Sequence, residues 1–186
     1  QRAARDASSP MRRQTVSEEL ASLDPGVVCR GGRILMCGRG YNSNYQILKT
    51  ADYVAIQMEM MHDTRLIPIG AEASRQVVPR QDLGNSRGRW DGDTPVAETT
   101  NLSQGISGSS RDVRLTERST RVGQARLQYE YTVTDPSTWT QSWTARVFMR
   151  PTPGTGAIYE FACHEGNYAA ELTLRSTRAD EAAKGQ

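Results

Sequence analysis

The chain has 186 residues, of which 37% are hydrophobic and 24% charged, so its composition is that of a folded globular domain and excludes wholesale disorder. Its formal net charge is only +2, with basic residues scattered among acidic ones, and this pattern predicts no nucleic-acid partner. No apolar run approaches the ~20 residues that a helix needs to span a bilayer, so no membrane span is expected. One domain with a real core is predicted.

The first 40 residues are predicted to form a helical and loop segment. Residues 17–23 carry a short amphipathic pattern that is typical of a surface helix, and Asp24-Pro25-Gly26 ends it. Residues 41–168 are predicted to form the main β domain. Residues 169–186 are expected to add a C-terminal helix and tail, so that all three segments belong to one domain.

Strand-forming segments follow one another through the main domain. They lie at residues 44–50, 53–69, 86–101, 113–120, 124–134, 143–150 and 158–164. The third segment contains Asp91-Gly92, a dipeptide that favours the two-residue turn of a hairpin. Proline-containing and glycine-containing stretches separate the later segments, as an antiparallel meander requires.

Alternation predicts which side chains of these strands are buried. One face of the segment 124–134 carries only apolar and aromatic residues: Leu127, Tyr129, Tyr131 and Val133. Polar residues occupy the other face, which is the pattern of an antiparallel strand with one solvated side. We therefore predict a mainly β fold, a curved antiparallel meander that closes into a lipocalin-like or up-and-down β-barrel with short helices at both ends and room for one small ligand.

Ionisable residues share faces with apolar residues in two of the predicted strands. In the segment 53–69, His62 lies on one face and Glu59 and Arg65 lie on the other, so whichever face turns inward carries an ionisable group. Glu117 likewise shares the apolar face of its own strand. Because a buried carboxylate must be paired or protonated, Glu59, Arg65 and Glu117 are interpreted either as an internal ion-pair network or as candidates for acid–base chemistry. His62 is either a hydrogen-bonded structural histidine or a catalytic one.

A second group of reactive side chains follows the last predicted strand. His164, Glu165, Asn167 and Tyr168 bring an imidazole, a carboxylate, a carboxamide and a phenol together within a few residues. Glu165 or Asn167 would fix the tautomer of His164, and Tyr168 would supply a hydrogen-bond donor. The segment is therefore a candidate for acid–base chemistry.

The chain has three cysteines, Cys29, Cys37 and Cys163. This number is compatible with one disulfide and a free thiol, or with three thiols. Cys163 precedes His164, but adjacent strand residues point to opposite faces, which argues against a nucleophilic cysteine–histidine pair. A disulfide from Cys163 to either Cys29 or Cys37 is predicted instead.

A metal site is the alternative use of the two histidines. His62 and His164 with Glu59 would supply two imidazoles and one carboxylate. No compact ligand motif such as His-Glu-x-x-His is present in the sequence. We therefore predict that no cofactor is needed, with a divalent metal on these three side chains as the minority alternative.

The predicted function is to bind a small, largely apolar, aromatic or sugar-like molecule and to perform acid–base chemistry on it, as a lyase, isomerase, cyclase or hydrolase. The catalytic candidates are His62, Glu59 and His164. The substrate-binding candidates are Arg65, Glu117, Tyr129, Tyr131, Trp143, Asn167 and Tyr168. A passive lipocalin-like carrier of an apolar ligand and a structural module with a filled core are the alternatives, and a homo-oligomer is compatible with any of them.

Four strings give the chain a further context. They lie at residues 41–47, 59–65, 84–94 and 163–168 and read YNSNYQI, EMMHDTR, GNSRGRWDGDT and CHEGNY. In this order they resemble a large family of uncharacterised exported bacterial proteins, over about residues 41–178. The resemblance implies an extracytoplasmic location, periplasmic or secreted, and no established activity. The chain departs from the family's pattern at Pro95, where an aliphatic residue usually continues the strand.

Overall fold

In a computed structural model of the protein, the described residues form two antiparallel sheets and one α-helix. The structure describes residues 29, 31, 34–37, 41–70, 79–153 and 157–184, and the helix predicted in the first 24 residues lies outside them. Two units are distinguished, one of residues 31–162 and the other of residue 29 with residues 163–184. Across the described ranges, no helix combines the length and the apolar character that a membrane crossing requires.

Both sheets belong to the larger unit. The first contains, in order, β1 (Tyr45–Lys49), β2 (Tyr53–Met58) and β3 (Thr64–Pro68). The second is a five-stranded meander of β4 (Asn85–Asp91), β5 (Thr94–Thr100), β6 (Arg114–Gly123), β7 (Arg126–Thr134) and β8 (Trp143–Met149). Each strand pairs antiparallel with its neighbours in its own sheet. The mainly β prediction is confirmed, and neither sheet closes on itself within the described residues.

The prediction of one long strand over residues 53–69 is wrong, because the chain reverses inside it. A single 3₁₀ turn, Met60–His62, separates β2 from β3. Met61 and His62 have φ angles of 59° and 54°. This left-handed region is one that L-residues other than glycine rarely adopt, and alternation alone gave no sign of it.

The reversal changes which ionisable residue joins the core. In the pairing of β2 with β3, Arg65 lies opposite Ile56, and Ile67 lies opposite Val54. All four side chains are buried on one shared face. Arg65 is therefore directed inward, whereas a continuous strand would have placed it on the face opposite Val54 and Ile56.

The strands of the second sheet agree with the predicted segments to within a few residues. The hairpin of β4 and β5 turns at Gly92 and Asp93, where Gly92 has a φ of 58° that glycine adopts without a Cβ clash. Tyr129 and Val133 are fully buried on the predicted apolar face of β7. Alternation was sufficient here because each strand has one face toward the core.

The last predicted strand, residues 158–164, is wrong, since these residues form no strand in the structure. Tyr159 is 70% exposed, so the segment buries no continuous apolar face against a sheet. The C-terminal helix is confirmed as α1, Ala169–Lys184. Cys163 forms its predicted disulfide, and its partner is Cys29.

The described residues of the larger unit form two apolar core clusters. One is centred on buried residues of β6 and β7 and the loops beside them: Ile34, Leu102, Ile106, Val113, Leu115 and Val133. The other joins side chains of both sheets: Met36, Val54, Ile56, Ile67, Ala97 and Tyr129. The inner faces of the two sheets thus pack on the same core.

The two sheets also meet through their backbones beside β3 and β4. Ile69 and Gly88 form a parallel bridge, and the amide of Gly70 donates to the carbonyl oxygen of Gly88 at 3.0 Å. A Cβ atom at position 88 would lie 2.4 Å from the Ile69 Cδ1 atom. Glycine at this position is therefore what allows the close approach of the two sheets.

Candidate functional site

A buried ion pair lies between the two sheets. Arg65 of β3 and Glu117 of β6 are 3% and 4% exposed. Arg65 Nη1 lies 3.1 Å from Glu117 Oε1, and Arg65 Nη2 contacts Glu117 Oε2. The planar guanidinium thus binds the carboxylate through two parallel hydrogen bonds, the geometry that favours arginine over lysine.

The remaining donors of the Arg65 guanidinium also have acceptors. Nε donates to Ser86 Oγ at 2.9 Å, and Nη2 donates to Thr99 Oγ1 at 2.8 Å. Nη1 reaches the carbonyl oxygen of Ile34 at 3.5 Å. An arginine side chain has five N–H groups, and the five contacts in this network match that number.

Tyr129 completes the network from β7. Its hydroxyl donates to Glu117 Oε1 at 2.6 Å and accepts from the amide of Met36 at 3.4 Å. Burial, reinforced by the negative charge of Glu117, raises the pKa of Tyr129 well above its ordinary value. The phenol therefore stays protonated and serves as a fixed donor to the carboxylate.

The space beside this network is small. A cavity of about 40 Å³ is lined by Glu117, Tyr129 and apolar side chains of both sheets. Such a volume accommodates a water molecule, whereas ligand pockets usually measure about 300–1,000 Å³. Of the predicted network of Glu59, Arg65 and Glu117, the structure brings together Arg65 and Glu117, with Tyr129 as the third member in place of Glu59.

The predicted aromatic residues form a packed series. The ring centroids of Tyr129 and Tyr131 are 5.7 Å apart, and those of Tyr131 and Trp143 are 5.9 Å apart in an edge-to-face contact. Trp139 extends the series, 6.2 Å from Trp143. Burial is the main reason why the pKa of Tyr131 is raised. Packing in the core accounts for these contacts.

Glu59 and His62 lie at opposite ends of the turn between β2 and β3. Glu59 Oε2 accepts hydrogen bonds from the amide nitrogen and the Nδ2 of Asn44, at 3.1 and 2.8 Å. Asn44 Oδ1 in turn accepts from Thr152 Oγ1 at 2.8 Å. His62 is exposed, and its Nε2 lies 2.9 Å from the Gln57 side-chain nitrogen. The two side chains thus have different partners.

The other predicted site residues belong to the smaller unit. Asn167 Nδ2 lies 2.9 Å from the sulfur of Cys29, and Asn167 Oδ1 accepts from the amide of Ala169, where α1 begins. His164 and Tyr168 are exposed. His164 is therefore in a different unit from Glu59 and His62. Within the described part of the chain, no group of three or more His, Cys, Asp or Glu side chains is placed to hold a metal ion.

A larger, open groove lies between β1 and the end of the second sheet, with a volume of about 690 Å³. Its apolar lining includes Tyr45, Ile47, Leu127, Val147 and Met149. Three of these, Tyr45, Val147 and Met149, also pack against the core, so the floor of the groove is fixed by the fold. The volume lies within the range of small-molecule pockets.

The polar lining of the groove was not among the predicted site residues. It includes Asn44, Arg121, Arg126, Arg150 and Thr152. The three arginines lie at the end of β6, the start of β7 and just after β8. In an antiparallel meander, the end of one strand, the start of the next and the end of the third lie at the same end of the sheet. The predicted strand boundaries therefore indicated that the three arginines lie close together, although no sequence motif did. Glu59 is connected to the groove through its bonds to Asn44.

Comparison of the chain with protein-family models, curated proteins and solved structures gives no match. The resemblance to exported bacterial proteins therefore stays a prediction. Any assignment of function depends on the geometry of the groove, of the buried network and of the turn at Glu59 and His62.

Proposed function

We propose that this protein binds a small amphipathic molecule in the groove between β1 and β8. The observation that carries the proposal is the groove itself, because its volume of about 690 Å³ suits a small ligand and its floor belongs to the core. Apolar residues line part of the groove and arginine, asparagine and threonine line the rest. A molecule with an apolar body and a polar end matches this lining.

We propose a barrel that is open on one side, in place of the closed barrel predicted from the sequence. The bridge from Ile69 to Gly88 joins the sheets on one side, and both sheets share a core, which supports a barrel-like enclosure. On the other side, the groove separates β1 from β8. We propose that this open seam is the ligand entrance of an incompletely closed, lipocalin-like β structure.

Binding is favoured over catalysis because the buried polar groups already use their hydrogen bonds on one another. Arg65, Glu117 and Tyr129 are buried and bonded to one another, and the cavity beside them measures about 40 Å³. Neither the space nor the hydrogen-bonding capacity of this network suits a substrate. The carrier hypothesis therefore takes precedence over the acid–base enzyme.

Neighbouring residues of β1 provide a matched test. Ile47 lines the groove and is 41% exposed, whereas Leu48 is 53% exposed and does not line it. Ile47→Asn is expected to weaken binding of a neutral apolar probe, N-phenyl-1-naphthylamine, about tenfold, because a buried aliphatic contact contributes about 1.5 kcal/mol. Leu48→Asn is expected to leave the affinity unchanged. Fluorescence titration measures both variants.

The wild-type titration decides the proposal before either variant is made. Saturable binding at one site per chain supports a ligand groove. If the probe does not bind, or if the two asparagine variants lose the same affinity, the groove is not the binding site. Circular dichroism and thermal unfolding serve to verify that both variants retain the fold.

Acid–base catalysis is the second candidate, and the turn at Met60–His62 favours it. Met61 and His62 both have positive φ angles, and such strained residues occur preferentially at functional sites. Glu59 or His62 would move the proton. The test is turnover of an ester such as p-nitrophenyl decanoate. Loss of about 10²–10⁴-fold in both Glu59→Gln and His62→Ala would support catalysis. Equal rates in the variants and the wild type would contradict it.

We further propose an extracytoplasmic location, supported by the resemblance and by the Cys29–Cys163 disulfide, since disulfides persist mainly in oxidising compartments. No cofactor enters the proposal. Native mass spectrometry with elemental analysis of freshly purified protein tests both points and the oligomeric state. A stoichiometric metal that is lost in the His62→Ala variant would favour the metal-dependent alternative over the carrier.

A further inference from the structure

We infer that the ligand of the groove carries an anionic head group, a carboxylate or sulfate on an apolar chain, and that Arg126 and Arg150 bind this group. The inference rests on the proposed function of the groove. It adds the charge of the ligand and the residues that recognise it.

The pairing of β7 with β8 places the two arginines together. Leu127 lies opposite Met149, and continuing this register by one residue brings Arg126 opposite Arg150. Residues that face each other on neighbouring strands have Cβ atoms about 4.5–5.5 Å apart, and like charges there destabilise a sheet. The two guanidinium groups therefore form a place where a negative charge is favoured.

The described part of the chain places no carboxylate at this position. Neither Arg126 nor Arg150 forms an ion pair with any described residue, and none of the described residues that line the groove is acidic. Three other arginines of the sheet are neutralised by carboxylates within 2.8 Å: Arg146 by Glu130, Arg118 by Asp91 and Arg89 by Glu98. Among the described residues, Arg126 and Arg150 lack the counter-charge that these three have.

The arginines have different roles at this site. Arg121 donates to the carbonyl oxygens of Gly123 and Gln124, so part of its hydrogen-bonding capacity is used within its own turn. The guanidinium of Arg126 stacks on the ring of Phe148, 3.9 Å from its centroid. Stacking occupies a face of the guanidinium and leaves its N–H edges available for the planar, bidentate contact that carboxylates and sulfates accept.

The apolar chain of the ligand has a path away from these charges. Phe148 lies on the same face of the strand as Arg150 and lines the groove, and Ile47 lines it from β1. A single-chain amphiphile with its head group at Arg126 and Arg150 would place its methylene groups against these side chains.

The experiment compares ligands that share one chain and differ in the head group. Decanoate, decyl sulfate, decanol and decyltrimethylammonium displace N-phenyl-1-naphthylamine from the wild-type protein at low salt and below their micellar concentrations. We expect the two anions to bind about tenfold more tightly than decanol, because two exposed arginines each contribute a modest ion pair. The cation is expected to bind most weakly, and added salt is expected to reduce the differences.

The double variant Arg126→Gln/Arg150→Gln assigns the effect to these residues. Decanoate and decanol are expected to bind it equally well, because the charges that distinguish the two head groups have been removed. Arg111→Gln is the control, since Arg111 is exposed, has no ion pair among the described residues and does not line the groove. It removes one positive charge from another place and is expected to keep the preference for anions.

The outcomes separate this inference from the proposed function. If decanol and decanoate bind the wild type equally well, the anionic head group is wrong and the groove remains a binding site. If neither they nor the probe binds, the proposed function is wrong as well. If the Arg111→Gln control loses the preference as fully as the double variant, general charge and not the groove attracts anions. The comparison of head groups uses the wild-type protein. It therefore tests the anionic head group even if the double variant fails to fold.

Discussion

Arginine side chains have opposite surroundings in the interior and in the groove. Arg65 is buried between the sheets, and carboxylate, hydroxyl and carbonyl oxygens of the protein accept from its guanidinium. Arg126 and Arg150 are exposed at the end of the second sheet and have no carboxylate partner among the described residues. The protein thus completes one arginine site with its own atoms and leaves the other open to an external anion.

Solvent explains the difference between the two sites. A guanidinium in the core has lost its water, so each donor must find an acceptor within the protein. At the groove, water satisfies the donors until a ligand replaces it. A buried polar cluster whose donors all have acceptors within the protein therefore indicates a structural role. An exposed cluster of charges without counter-charges, next to apolar side chains, indicates a binding site.

The largest expected effect follows from breaking the buried pair. Glu117→Gln leaves the charge of Arg65 in the core without a counter-charge, which is expected to lower the free energy of unfolding by about 3–5 kcal/mol. Urea denaturation followed by circular dichroism measures the change. Binding of the neutral probe under conditions where the variant is folded is expected to stay the same, because Glu117 does not line the groove.

An exposed pair of the same chemistry serves as the control. Glu130→Gln removes the partner of Arg146 on β7 and β8, where the two charges lie 2.8 Å apart at the surface. A loss of at most about 1 kcal/mol is expected there. If both variants lose the same stability, burial does not distinguish the two arginine sites.

Tyr129→Phe is expected to have the next largest effect. It removes the hydroxyl that donates to Glu117 at 2.6 Å and retains the buried ring. A hydrogen bond to a charged group contributes about 1.5–3 kcal/mol, so the free energy of unfolding at pH 7 is expected to fall by that amount. Chemical denaturation of the variant and the wild type at neutral pH measures it.

The same variant changes the response to alkali. Burial raises the pKa of Tyr129 in the folded protein, whereas the unfolded chain ionises this phenol near its ordinary value of about 10. The stability that the neutral phenol supplies is therefore complete below about pH 10 and is lost as the pH rises above it. Between about pH 10 and pH 12, the wild type is expected to lose stability more steeply than the variant, and parallel curves would contradict the buried, protonated tyrosine.

The regular strands of the second sheet were predictable, and the turn inside residues 53–69 was not. In β7, alternation identified Tyr129 and Val133 as buried because each strand has one face in the core. At Met61 and His62, the chain reverses through left-handed backbone angles that no glycine or asparagine announces. Missing that turn placed Arg65 on the face opposite its actual one.

The buried charged residues were predictable from the sequence, and the location of the groove was not. Glu117 was recognised because a carboxylate on an apolar face must have a partner, and that partner is Arg65. The groove escaped prediction because it lies between strands that are about 80 residues or more apart in sequence. That no described carboxylate lies against Arg126 or Arg150 depends on their three-dimensional surroundings, which sequence alternation does not contain.

A smaller effect is expected from the ring that supports Arg126. Phe148→Leu removes the stacking contact of 3.9 Å and is expected to lower the free energy of unfolding by about 0.5–1 kcal/mol, the range for an exposed cation–π pair. Phe148→Tyr retains an aromatic face and is expected to preserve stability. Denaturation in urea distinguishes the two, and equal losses would indicate that the ring contributes only through its packing.

The smallest expected effect is an increase in the free energy of unfolding, and it distinguishes the groove from the buried site of Arg65 most clearly. Because facing like charges destabilise a sheet, Arg150→Gln, which retains the stacking of Arg126 on Phe148, is expected to raise the free energy of unfolding at low salt by about 0.2–1 kcal/mol. Salt screens exposed charges, so the gain is expected to shrink as ionic strength rises. A loss of stability in this variant would mean that the protein itself uses these arginines, as it uses Arg65. A gain that decanoate reverses, by stabilising only the wild type, would mean that the groove keeps its two charges for a ligand.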